Sequence, residues 1–180
     1  MLHGEAVVLT EMLDCRERRS QKQEEFRNKY HTTVISFCMN IPGPVKTNPD
    51  ISKVFQSGVQ EILSFLQNSG IQIFESVEYN EKTGNELLLA IDSTDSQHIK
   101  NAMTHIEETH PLGRLFDIDV INPDGIKMSR NTFRKCFICN CQAQECASAR
   151  RHSVPEMQEY IDSKIQEYLK SDTALHYQTK

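Results

Sequence analysis

No apolar run in this sequence approaches the ~20 residues that a membrane-spanning helix needs; the stretches are as short as Leu87–Ile91. A basic leader region is missing too, because Met1 to Leu13 carries Glu5 and Glu11 and no Lys or Arg. A secretory signal peptide is therefore not expected. Internal repeats and low-complexity tracts are absent, and 180 residues suit one domain with a small extension. Positive charge is not in excess either. A net charge of -5 argues against a general nucleic-acid binder. The expectation is a soluble cytoplasmic protein with neither nucleic acid nor a membrane as its partner. At 38% hydrophobic residues the chain has apolar side chains enough for a core.

Charge and cysteine are present but unevenly spread. Between Lys127 and His152 stand Lys127, Arg130, Arg134, Lys135, Arg150 and Arg151 against the single acid Glu145. That stretch suits phosphates or an acidic protein, and equally a solvated face. Of the six cysteines, Cys136, Cys139, Cys141 and Cys146 fall together, while Cys15 and Cys38 stand alone and read as packing residues. Without any sign of secretion, metal binding outranks disulfides. Cys136, Cys139, Cys146 and His152 offer three thiolates and an imidazole, a tetrahedral set for a structural Zn²⁺, with Cys141 as a rival ligand. The alternative is a cluster of reduced thiols.

The pattern along the chain predicts an α+β fold. A charged helix at about Thr10–Lys29 has Met12, Leu13 and Phe26 as its few apolar contacts. A β-branched strand at Thr32–Met39 follows, closed by Ile41-Pro-Gly-Pro44. Asn48-Pro-Asp50 opens a helix with a 3.6-residue apolar period from Ile51 to Leu66. Two runs, Ile71–Tyr79 and Glu86–Asp92, flank a short Gly-containing turn and read as a hairpin. A second amphipathic helix starts near Thr94 and ends before His110-Pro111, and Leu115–Ile121 is the last strand. The order β-α-β-β-α-β is that of a ferredoxin-like core. It carries an N-terminal helix and a Cys-rich, helical C-terminal extension. The expected division is 1–133 for the helix and core and 134–180 for the Cys-rich segment and final helix, packed on the same domain. Ser153-Val-Pro-Glu156 looks like a capping box for that helix, and the polar residues after Lys170 are expected to fray.

Residues two apart on a strand share a face, so Asp117 and Asp119 project together while Phe116, Ile118 and Val120 point to the helices. Adjacent carboxylates call for a cation between them, and Mg²⁺ prefers such oxygens alongside phosphates. An isolated pair of this kind is also a common solvated edge. Gly113 would let the backbone approach a phosphate, and Arg114 offers a planar fork to its oxygens. Arg16 and Arg19 lie three apart on a helix face and suit a pyrophosphate, or else ion pairs with Glu17 or Asp14. Lys46, after the rigid Pro-Gly-Pro turn, suits a phosphate or is simply exposed. His110 is a candidate base, although a cap for the preceding helix is the more ordinary role.

The segment His110-Pro-Leu-Gly-Arg-Leu-Phe-Asp-Ile-Asp-Val120 resembles the signature of the citrate lyase holo-acyl-carrier-protein synthases, also called apo-citrate lyase phosphoribosyl-dephospho-CoA transferases. The likeness extends to Leu13-Asp-Cys-Arg-Glu-Arg-Arg19, to Ser36-Phe with Ile41-Pro-Gly-Pro-Val-Lys46, and to Arg134-Lys-Cys-Phe-Ile-Cys139 continuing to Cys146 and His152. The resemblance implies a nucleotidyltransfer-type reaction. The donor would be triphosphoribosyl-dephospho-CoA, the acceptor a serine of the acyl-carrier (gamma) subunit of citrate lyase, and the by-product pyrophosphate. It implies Mg²⁺ on Asp117 and Asp119 and a phosphate grip for Arg114. Two other readings are kept: a non-catalytic ferredoxin-like regulatory module with a zinc-stabilised tail, and the analogous transferase of malonate decarboxylase.

Overall fold

The computed structural model describes residues 2–178, with the side chains of 172–178 left aside. Ten elements follow in order. Helix α1 spans Leu9–Tyr30, strand β1 Thr33–Met39, helix α2 Pro49–Asn68, strands β2 Ile73–Glu81 and β3 Gly84–Ile91, and helix α3 Ser96–Thr109. A single 3-10 turn, Gly113–Leu115, leads into β4, Phe116–Ile121; short α4, Ala143–Ser148, and long α5, Val154–Gln178, complete the chain. The four strands form one sheet in the order β2-β3-β1-β4, with every neighbouring pair antiparallel.

Local chemistry sets the helix boundaries. The Asn48 side chain accepts from the amides of Asp50 and Ile51, and Pro49 occupies the first turn, where its missing N–H costs nothing. Ser153 and Glu156 cap α5 reciprocally, as the sequence suggests. The backbone of α5 continues past Lys170 to Gln178 rather than ending there, and no Gly or Pro after Pro155 interrupts it.

Helices α2 and α3 pack on one face of the sheet, where Ile35, Phe37, Leu87, Leu89, Phe116, Ile118 and Val120 meet Val54, Phe55, Ile62, Ile99 and Met103. Gly58 permits this closeness: a Cβ there would stand 2.7 Å from the Phe37 ring and 2.9 Å from that of Phe116. Ile161 and Ile165 of α5 join the same core, and Gln158 donates to the Pro42 carbonyl. Helix α1 covers the opposite face, with Phe26 fully buried against Val34, Leu88, Ala90 and Ile121. Its other buried residue is Cys15; Leu13, expected as an apolar contact, is 52% exposed.

Strand β4 is an edge, and its outer backbone groups are sealed by buried side chains. Lys100 Nζ donates to the Ile118 carbonyl at 2.8 Å, and Glu107 Oε1 accepts from the Ile118 amide at 2.9 Å. The Met128 amide donates to Val120 O beside them. An edge strand covered in this way is protected from pairing with another chain.

Candidate active site

The antiparallel register builds a polar row across the α1 face of the sheet. Cys38 lies opposite Glu86 on β3 and Asp117 on β4, and Ser36 lies opposite Asp119. Directly paired residues of an antiparallel sheet point the same way, so the two aspartates, the thiol and Glu86 converge under the N-terminal half of α1. Arg19 reaches down from α1 to Glu86 at 2.6 Å. Burial pushes the Cys38 thiol up to about 12, so it stays protonated, with its sulfur 3.9 Å from Asp117 Oδ2.

Asp117 forms a common wall of two cavities. The smaller, about 130 Å³, includes Arg16, Arg19 and Lys46. Lys46 donates to the Ile41 carbonyl at 2.7 Å, and burial, with Arg16 nearby, lowers its pKa. Arg16 makes neither of the ion pairs considered for it, with Asp14 or Glu17, among the described residues, and Arg19 pairs with Glu86 instead. The larger cavity, about 620 Å³, is lined by Asp117 and Asp119 with Lys127, Arg130 and Arg134. Here Lys127 lies 2.6 Å from Asp119, and Arg134 lies 3.3 Å from Asp117 while also donating to the Phe116 carbonyl. Glu107, 4% exposed, holds both Arg130 and Arg134. Burial raises its pKa, against the pull of Arg134, the Ile118 amide and Arg130.

Three residues proposed from the sequence stand elsewhere. Gly113 is buried, and a Cβ there would lie 2.6 Å from the Glu107 carbonyl, so its small size serves packing against the end of α3 rather than approach to a phosphate. His110 lies on the helical side of the sheet, its ring against Phe116 and Tyr168. Its Nδ1 accepts from the Leu112 amide and its Nε2 faces Ser57 Oγ at 3.1 Å, which places the single proton on Nε2 and leaves no free base. Burial lowers its pKa. Arg114 lines neither Asp117 cavity. It borders a third, about 640 Å³, with Arg134, Lys135 and Arg150 and the apolar Phe137 and Met157. Among the described residues no carboxylate lines that space, and Arg114 Nε and Nη2 are buried without a hydrogen-bond partner. Arg114 forms no ion pair among the described residues, Glu107 and Glu108 included.

Glu86, Glu107 and Lys100 were not singled out in the sequence. The available signal was a charged residue at a core position of a periodic helix or strand, flanked by Ile99 and Met103, by Ile106, and by Leu87.

The Cys-rich segment gathers Cys136, Cys139, Cys146 and His152, whose ligand atoms all lie within 4.8 Å of one another. Cys141 stays outside, with Arg151 Nη1 3.3 Å from its sulfur.

A family model described as apo-citrate lyase phosphoribosyl-dephospho-CoA transferase matches residues 7–168. The chain belongs to that family. It is 35% identical over 167 residues to a protein of Vibrio cholerae serotype O1 (strain M66-2), covering 91% of this chain and 94% of that one. A Citrobacter koseri protein is 33% identical over 156 residues (84% and 85%), and one from Streptococcus pyogenes serotype M18 is 36% identical over 177 residues (94% and 91%). The Citrobacter relative bears the family's name as it stands; the other two bear it prefixed "probable". The family match takes in every site residue described above. No helix among the described residues is long and apolar enough to cross a membrane.

Proposed function

We infer that this protein is a transferase that places the phosphoribosyl-dephospho-CoA group on apo-citrate lyase. One observation carries the reading of the site: Asp117 borders two cavities, each of them lined by cations. A polyphosphate donor needs such an arrangement, since its charge must be met on both sides of the bond that breaks.

The donor in this proposal is triphosphoribosyl-dephospho-CoA and the acceptor a serine hydroxyl of the acyl-carrier subunit. The serine oxygen bonds to the innermost phosphorus, the bond to pyrophosphate breaks, and the hydroxyl proton leaves to solvent or a carboxylate. Arg16, Arg19 and Lys46 would receive the departing pyrophosphate; among the described residues Arg16 has no ion-pair partner to give up. Asp117 and Asp119 fit a divalent ion: both are hard oxygen donors on one sheet face, and among the described residues each keeps one oxygen that no cation engages. Mg²⁺ held there would neutralise charge on the phosphate oxygens. The dephospho-CoA arm is an anionic diphosphate joined to a longer, less polar chain. The acid-free cavity of Arg114, Arg134, Lys135 and Arg150, walled by Phe137 and Met157, suits that combination. Arg134 borders both this cavity and the larger Asp117 one, so a single donor would pass across it.

We read the sheet order, with α2 and α3 on one face, as ferredoxin-like. Residues 134–180 are taken as part of the same unit, because Ile161 and Ile165 complete its core.

The test is to incubate the protein with donor, Mg²⁺ and the apo acyl-carrier subunit of citrate lyase, and to weigh the carrier by mass spectrometry. A mass gain equal to the prosthetic group, with pyrophosphate released, is expected. An unmodified citrate lyase carrier beside a modified malonate decarboxylase carrier would overturn the reading.

A further inference from the structure

Between Asn122 and His152 only Cys136 and Cys146 are buried. Beyond Met128 and Phe137, which pack partly buried against the main core, this stretch gains little from apolar burial, yet it has a defined backbone and must place Arg130 and Arg134 accurately. Small units that lack a core are commonly held by a metal or disulfides instead. Disulfides do not account for the geometry: the sulfurs of Cys136 and Cys146 are 3.5 Å apart and those of Cys139 and Cys146 3.8 Å, against about 2.05 Å for a bond. Those separations match the edge of a tetrahedron with Zn–S arms of about 2.3 Å, roughly 3.8 Å.

The surroundings agree. The backbone turns tightly after Cys136, with Asn140 in the left-handed region at φ 58, the Asn140 amide on Cys136 O and the Ile138 amide pointing at Cys136 Sγ. That turn brings Cys139 back beside Cys136, and α4 supplies Cys146. His152, just before α5, has its Nδ1 3.0 Å from Glu156 Oε1, while its Nε2 is buried without a hydrogen-bond partner. A carboxylate fixing one imidazole nitrogen while the other is left bare is the usual arrangement behind a metal-bound histidine.

We propose that Cys136, Cys139, Cys146 and His152 bind one structural zinc ion. The four protein ligands fill a tetrahedral site, leaving no position for substrate. The ion takes the place of a core for this segment. Its rigid loop is tied at the base by the bridge between Lys135 and Gln142 and by the Ala143 amide on Arg134 O. The metal thereby sets where the Arg134 backbone begins its reach to Asp117 and Glu107.

Full-length protein purified under reducing conditions without chelator should contain about one zinc per chain by elemental analysis. After exchange, cobalt(II) should give the absorption of a tetrahedral thiolate complex. Cys141→Ser should retain full metal content, because its sulfur lies outside the set, whereas Cys146→Ser and His152→Ala should lose most of it. Should those two variants fail to fold, titrating native protein with a chromophoric chelator still decides the matter, by release of one equivalent. Metal-free reduced protein, or equal metal loss in Cys141→Ser and Cys146→Ser, would overturn the proposal. Metal content is read without any transfer assay, so its failure is distinct from failure of the functional reading.

Discussion

One terminal nitrogen of Arg134 stands 3.3 Å from the Asp117 carboxylate, and the other stands 3.5 Å from buried Glu107. A single guanidinium from the Cys-rich segment therefore ties the exposed aspartate of β4 to the inner end of α3. Its planar, always-charged fork suits this double duty in a way that a lysine does not. The Cys-rich segment thus supplies part of the wall of the larger cavity.

Asp117→Asn and Asp119→Asn should each lower transfer by about a hundredfold or more, as loss of a charge-stabilising group at a reacting phosphate does. Stability should change by only about 0–1 kcal/mol, because Arg134 and Lys127 balance these partly exposed carboxylates and the pairs are screened by water. Near-normal turnover at saturating Mg²⁺ would remove the pair from the site.

Glu107→Ala should be among the costliest substitutions in the molecule. It strips the Ile118 amide of its acceptor and leaves Arg130 and Arg134 without their buried counter-charge. Removal of one partner from such a buried set costs about 3–5 kcal/mol, measurable as a lower urea midpoint. Glu107→Gln keeps an acceptor for the amide and should cost less. Equal loss in both variants would show that charge alone matters there.

Arg114→Lys should reduce catalytic efficiency toward the donor about ten- to a hundredfold, the loss of roughly 1.5–3 kcal/mol for a charge-assisted hydrogen bond. The carrier KM should stay unchanged. Unaltered donor kinetics, with a lower melting temperature, would assign Arg114 to the fold.

His110 should make stability depend on pH. Burial lowers its folded pKa, so between that value and the unfolded value of about 6.5 the unfolded chain binds more protons. Its stabilising contribution is present above about pH 6.5 and is lost as pH falls toward the folded pKa. His110→Gln should flatten the melting temperature over that acid range relative to wild type. An unchanged slope would place the acid sensitivity in other groups.

Residue periodicity alone placed α2, α3 and the β2–β3 hairpin, because an amphipathic stripe or an alternating strand is written locally. The shared face of Asp117 and Asp119 was legible for the same reason, since strand geometry makes residues two apart neighbours. The gathering of Cys136, Cys139, Cys146 and His152 was equally open to reading, because chemically distinctive residues stand close in the chain. Long-range pairing was not. Only the antiparallel register sets Glu86 beside Cys38 and Asp117, and only packing of α3 against the edge of β4 turns Lys100 and Glu107 into seals for Ile118. Arg114 and the candidate base His110 show the same limit: they stand three and seven residues before Asp117 in sequence, yet neither lines its two cavities. The 3-10 turn at Gly113–Leu115 sends Arg114 to another cavity, and the sheet itself stands between His110 and the carboxylates. Sequence proximity fixes distance along the chain, whereas the side of a sheet on which a side chain lies is decided when the layers pack.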